Sequence, residues 1–205
     1  MSFKKEILKY EDSEEKKEYI VKNGEVAVIL TAVHTMAQSK SDGSVKLNEP
    51  FTKGIAKYVA EKVNAHSFIK VLDTGIDSNS LLEEDFKIQL LDIIKKNNIK
   101  LLIDLHGAKK DRNFDVEFGT LNNLSADFST VRELEDSFCK HGVKNIEHNT
   151  NFKGGGITQY IYGKTDIDII QLEINGKYRS INDINNIEKI CNSIVDFIKK
   201  YSNLN

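Results

Sequence analysis

Apolar residues recur along this chain with two alternating rhythms. Residues 25–33 (EVAVILTAV) are a short, β-branched apolar run that predicts a buried strand ending at His34. Residues 38–48 carry Ser, Asp, Gly and Lys without periodicity and predict a loop. Pro50 then suits the first turn of a helix, where Phe51, Ile55, Val59 and Val63 follow at helical spacing. Further strands are predicted over 67–73, 99–105, 116–121, more weakly 143–147, and 168–174. Helices are predicted over 83–97, over 129–140 with Gly142 at its C-terminal stop, in a short stretch opened by Gly154–Gly156 and running to Tyr162, and over 185–201.

Strands that alternate with crossover helices predict a single α/β domain over residues 1–205. Its sheet should be mixed but mostly parallel, with helices on both faces and chemistry at the carboxyl ends of the strands. Composition agrees with such a domain: 40% apolar residues can build a core, and 29% charged residues keep the surface wet. A net charge of −2 offers no basic footprint for nucleic acid. The apolar runs fall far short of the roughly 20 residues needed to span a bilayer, and the charged first 15 residues lack a signal-peptide pattern, so a cytoplasmic location is expected. The two cysteines, Cys139 and Cys191, show no CxxC spacing and are expected to be reduced core or half-buried thiols in amphipathic helices.

Polar residues interrupt the apolar strands at three strand ends: His34, Asp104 with His106 in LLIDLHG, and Gln171 with Glu173 in IIQLEIN. Period-two alternation puts Leu102, Asp104 and His106 on one side of their strand, and Gln171, Glu173 and Asn175 on one side of theirs. A carboxylate in an apolar strand is costly unless a cation or hydrogen bonds compensate it. Zinc takes imidazole nitrogens and carboxylate oxygens, and a catalytic zinc keeps a position open for water. His34 and His106 are the candidate nitrogen ligands. A local HxxE pairing would need Glu at position 37, where this chain has Ala37, so Glu49 in KLNEPFT is the candidate third ligand and Asp42 its alternative.

These segments, AVHT, KLNEPFT, LLIDLHG, FDVEFGT, GGGITQYIYG and IIQLEINGKYR, resemble in order the pattern of N-formylglutamate amidohydrolase-like proteins, relatives of the zinc carboxypeptidases. The resemblance implies a phosphorylase/hydrolase-like α/β fold, a zinc held by His34, His106 and a carboxylate such as Glu49, and Glu173 as catalytic base. The chain departs from that pattern in being short and in carrying TMAQ, not a glycine-containing turn, after His34. The expected activity is hydrolysis of an amide bond in a small N-acyl or acidic amino-acid derivative. A peptidase acting on short peptides and a non-catalytic metal-binding domain are the alternatives.

Asp104 is expected either to orient a ligating histidine or to touch substrate. Arg112 and Arg179, two of only three arginines beside many lysines, are candidate binders of a small anionic substrate, because a guanidinium grips a carboxylate with two parallel hydrogen bonds. Tyr160, Tyr162 and Tyr178 could line a pocket, and Gly154–Gly156 could form a backbone nest for an anion. His66, His141 and His148 read as surface histidines.

Overall fold

The alternation of apolar strands and amphipathic helices becomes one sheet between two helical layers in a computed structural model that describes residues 1–14, 17–39, 43–81 and 83–203. The first half of the chain holds helix α1 (Phe3–Glu11), strands β1 (Tyr19–Lys22) and β2 (Val26–Ala32), the short pair β3 (Gln38–Ser39) and β4 (Val45–Lys46), helix α2 (Thr52–Lys62), strand β5 (Ala65–Lys70) and helix α3 (Asp85–Lys96). The second half holds β6 (Leu101–Ala108), β7 (Val116–Gly119), α4 (Phe128–Lys140), β8 (Ile146–His148), α5 (Gly156–Tyr162), β9 (Asp168–Asn175) and α6 (Ile184–Tyr201).

Seven strands form the main sheet in the order β1-β5-β2-β6-β9-β7-β8. The four central strands β5, β2, β6 and β9 are parallel, while β1 and β7 pair antiparallel with their neighbours β5 and β9. The fold is therefore the expected mostly parallel α/β sheet. Among the described residues no helix is long and apolar enough to cross a membrane.

The two faces are unequal. On one, Val28 and Leu30 of β2, Leu101, Ile103 and Leu105 of β6, and Ile170, Leu172 and Ile174 of β9 pack against α2 and α6, with α1 and α4 completing the layer. On the other face Ile29, Leu102 and Ile169 pack against Phe86, Leu90 and Ile94 of α3 and Ile157 and Ile161 of α5. This second face is apolar only where the strands begin. Toward their carboxyl ends the same face carries Thr31, Asp104, His106, Gln171 and Glu173, all buried. Asp104 and His106 share a face, as do Gln171 and Glu173, as the alternation in the sequence predicts, and the β6–β9 register sets Asp104 beside Gln171 and His106 beside Glu173.

Several expectations are corrected. The charged start of the chain, for which the sequence predicts no element, is a helix, α1, whose Ile7 is buried. Pro50 lies outside α2, which begins at Thr52 after Phe51, a residue in the left-handed region at φ 66°. His66 is buried in β5 and accepts a hydrogen bond from the Gly24 amide at 3.3 Å, so it is not a surface histidine. Cys191 is buried as expected, whereas Cys139 is exposed. Asp42 lies outside the described residues.

The glycine triplet is a packing seam, in place of the anion nest suggested by its sequence. A Cβ on Gly156 would overlap the Ser80 carbonyl oxygen, and one on Gly155 would overlap Asn79 Oδ1. Gly156→Ala should therefore push α5 off the 77–80 loop and lower stability by about 1–3 kcal/mol. Gly163→Ala, whose new Cβ would meet only Gln159 O at 3.7 Å, should be close to neutral. Urea unfolding of both variants checks this, and equal midpoints would remove the steric argument.

Candidate metal centre

Three strand-end segments bring His34, Glu49 and His106 together, each buried, with one potential ligand atom apiece lying within 4.8 Å of the others. His34 follows β2, His106 lies in β6, and Glu49 stands in the turn before α2. The two Nδ1 atoms are 3.2 Å apart, and Glu49 Oε1 is 2.9 Å from His34 Nδ1. Glu49 Oε2 accepts the Gly107 amide at 2.8 Å and lies 3.5 Å from His106 Nδ1.

Each imidazole is held from behind by an aspartate. His106 Nε2 is 2.9 Å from Asp104 Oδ2, and Asp104 Oδ1 accepts the Thr31 hydroxyl at 2.6 Å. His34 Nε2 is 2.8 Å from Asp77 Oδ1. Carboxylates facing both Nε2 atoms hold protons there, the usual support for metal-ligating histidines, and the Nδ1 protons that Glu49 accepts are the ones a bound metal ion would displace. The donor set, two imidazole nitrogens and a carboxylate oxygen, fits a divalent transition metal.

Charge coupling is strong. Burial opposes a charged His106, yet the Asp104 carboxylate, followed by Glu49, holds its pKa well above the usual value. Burial likewise opposes ionised Glu49, but hydrogen bonds from His106 and His34 keep it well below the carboxylate range. Asp77 behaves similarly: burial raises its pKa, and the His34 contact more than reverses this. Glu173 is different. Its burial dominates and lifts its pKa to about 7, against the downward pull of His106. Gln171 Nε2 donates to Glu173 Oε1 at 2.9 Å, while Gln171 Oε1 accepts the Gly155 amide.

Glu49 reaches the cluster because other residues serve the helix behind it. Glu11 of α1 caps α2, accepting the Phe51 amide at 2.8 Å and the Gly54 amide at 2.7 Å. Arg179, expected to bind substrate, is instead buried with three donors on backbone carbonyls: Ile174 at 3.0 Å, Pro50 at 2.7 Å and Ala108 at 2.9 Å. It braces the Glu49 turn. A Cβ on Gly107 would overlap the Arg179 guanidinium, which explains the glycine after His106.

Asp104 is fully buried behind His106, with one carboxylate oxygen on that ring and the other on the Thr31 hydroxyl, a placement that suits orienting the imidazole. Arg112 remains exposed, with its Cζ 5.4 Å from the Phe152 ring centroid, beside a cleft of about 290 Å³ lined also by Glu147 and Asn151. A larger cleft of about 570 Å³, lined by Phe128 and Arg132 among others, shares no residue with the cluster. The tyrosines lie elsewhere: the Tyr178 hydroxyl donates to Asp115 Oδ2 at 3.1 Å, Lys164 Nζ sits over the Tyr160 ring, and Tyr162 is exposed.

Sequence reasoning missed Asp77. Its loop has no periodicity, and it is placed by side chains from outside it: Lys70 Nζ donates to Ile76 O at 2.6 Å and Ser78 Oγ at 3.0 Å, and Lys87 Nζ to Ser80 O.

No protein-family model matches the sequence, and no curated protein matches it. Solved structures do match in shape. N-formylglutamate amidohydrolase from Ralstonia eutropha aligns with a TM-score of 0.71 at 11% identity, over 91% of this chain and 98% of that one. A bacteriophage poly-gamma-glutamate hydrolase aligns at 0.61 and 14% identity, over 94% of each chain. The catalytic domain of an N-acetylmuramoyl-L-alanine amidase from Bacillus (Paenibacillus) polymyxa var. colistinus aligns at 0.52 and 14%, over 86% of this chain and 99% of that one. The fold is one these amide hydrolases share. The zinc carboxypeptidase side of the resemblance draws no support from them.

His34→Ala, His106→Ala and Glu49→Ala should each lower metal affinity by at least roughly 10 to 100-fold, the cost of losing even an orienting partner of a ligand. Asp77→Asn should weaken it less than any of these three. Metal titration with a chelator competitor measures the order, and an unchanged affinity in Glu49→Ala would remove that residue from the centre.

Proposed function

We propose that the protein is a zinc-dependent hydrolase of an amide bond in a small N-acyl, acidic amino-acid derivative. The observation that carries this reading is the pairing of the His34, Glu49 and His106 cluster with Glu173, which stands beside His106 in the β6–β9 register. The fold shared with amide hydrolases supports it. Zinc bound by His34, His106 and Glu49 would supply Lewis acidity, polarising the amide carbonyl and lowering the pKa of water toward about 7.

Glu173 is the general base of this scheme. Burial gives its carboxyl a pKa of about 7, suited to exchanging protons near neutrality. It accepts a proton from the attacking water as oxygen bonds to the carbonyl carbon, then delivers that proton to the nitrogen as the C–N bond breaks. Asp104 and Asp77 keep the imidazoles turned toward the centre. Arg112, exposed with its guanidinium over Phe152, is the arginine available to a substrate carboxylate.

Glu173→Gln keeps shape but cannot accept the proton, so it should fold, retain zinc and lose roughly 10² to 10⁴ in kcat. Loss of zinc from that variant would make Glu173 a ligand, and near-full activity would end its role as base. Because the base works deprotonated, kcat/KM should fall as pH drops through the Glu173 range, at or below about 7. A pH profile that stays flat down to pH values of about 5 contradicts this. Arg112→Lys should raise KM for N-formylglutamate more than for neutral N-formyl amino acids; equal changes would remove the anion-binding role. Parallel assays with dipeptides distinguish an amidohydrolase from a peptidase.

A further inference from the structure

Lys46 is a cation that the scheme above leaves unused. It lies at the end of β4, and its Nζ is 2.9 Å from Glu49 Oε1, the same oxygen that faces His34 Nδ1. Its side chain is 34% exposed while that of Glu49 is 7% exposed, so the ammonium covers the buried carboxylate from the solvent side. Partial burial opposes its charge, and Glu49, Glu173 and Asp77 together more than offset that.

The β3–β4 pair that carries Lys46 is itself anchored. Gln38 pairs with Lys46, and Gln38 Nε2 donates to the Val33 carbonyl just before His34. The Ser39 amide and hydroxyl donate to Asp73 Oδ2 at 3.0 and 2.8 Å. The lysine is thus delivered to the mouth of the cluster by fixed backbone.

An ammonium and a divalent metal ion cannot both hold Glu49 Oε1 without like-charge repulsion across a few ångströms. We propose that Lys46 is the anion-recognition residue of this centre: it leaves Glu49 when a metal ion is bound there, and the released ammonium then binds an anionic group of the substrate. Four flexible methylenes let the ammonium move while β4 stays in place. The inference rests on the metal-centre reading and adds to it a reason for an acidic substrate, independent of Arg112.

The test uses Lys46→Met and Lys46→Arg with two uncleavable probes, glutarate, a dianion, and pentane-1,5-diol, a neutral counterpart of the same chain length. Zinc affinity is measured by chelator competition, and probe binding to the zinc-loaded proteins by calorimetry. Lys46→Met should bind zinc more tightly than the wild type, since a competitor for Glu49 is gone. It should also lose roughly tenfold in glutarate affinity, the scale of a charged hydrogen bond, with pentane-1,5-diol unchanged. Lys46→Arg should retain the preference for glutarate. Weaker zinc binding by Lys46→Met, or undiminished glutarate binding, overturns the proposal while leaving the metal centre intact. A wild-type protein that takes up no zinc overturns both.

Discussion

The burial of the Glu49 carboxylate is the constraint on which the rest of the site depends. An ionised carboxylate removed from water is tolerated only if its oxygens are satisfied. Here they face the Gly107 amide, His34 and Lys46, with His106 close by. Each partner has a structural cost elsewhere. Gly107 must lack a side chain so that Arg179 can lie against it, and Arg179 in turn holds the Pro50 carbonyl next to Glu49. Phe51 adopts a left-handed conformation where the chain turns from Glu49 into α2. Glu11 takes over the capping of that helix, leaving Glu49 free for the cluster.

Orientation of the two imidazoles is handled differently. Asp104 lies in the same strand as His106 and is fixed by the regular geometry of the sheet and by Thr31 in the adjacent strand. Asp77 is held by an irregular loop, and that loop is clamped by two buried lysines, Lys70 and Lys87, and by the glycine seam of α5 alongside. One histidine thus relies on local order and the other on tertiary packing.

That difference also explains what is legible in the sequence. Strands with long apolar runs, such as those carrying or ending at His34, His106 and Glu173, are visible because burial on both faces demands them. Period-two alternation then puts Asp104 and His106 on one face of β6 and Glu173 on the same side of β9. The α1 helix is hidden because its charged residues outnumber its buried ones, and its cap on α2 spans 40 residues of sequence from Glu11 to Phe51. Asp77 and Lys46 lie in segments with no periodicity, so nothing local marks them. Arg179 misleads for the opposite reason: its scarcity signals a special role, and that role is hydrogen bonding to carbonyls inside the fold.

The inequality of the two sheet faces bears on how such a protein can change over time. Most of the apolar core lies on the α2 and α6 side, and the polar residues of the centre project from the other. Substitutions around the mouth of the centre therefore touch few of the contacts that hold the sheet to its main helical layer. Residues at the rim of the centre can thus be exchanged at less cost to the main core than residues that face α2 and α6, the glycine seam of α5 excepted.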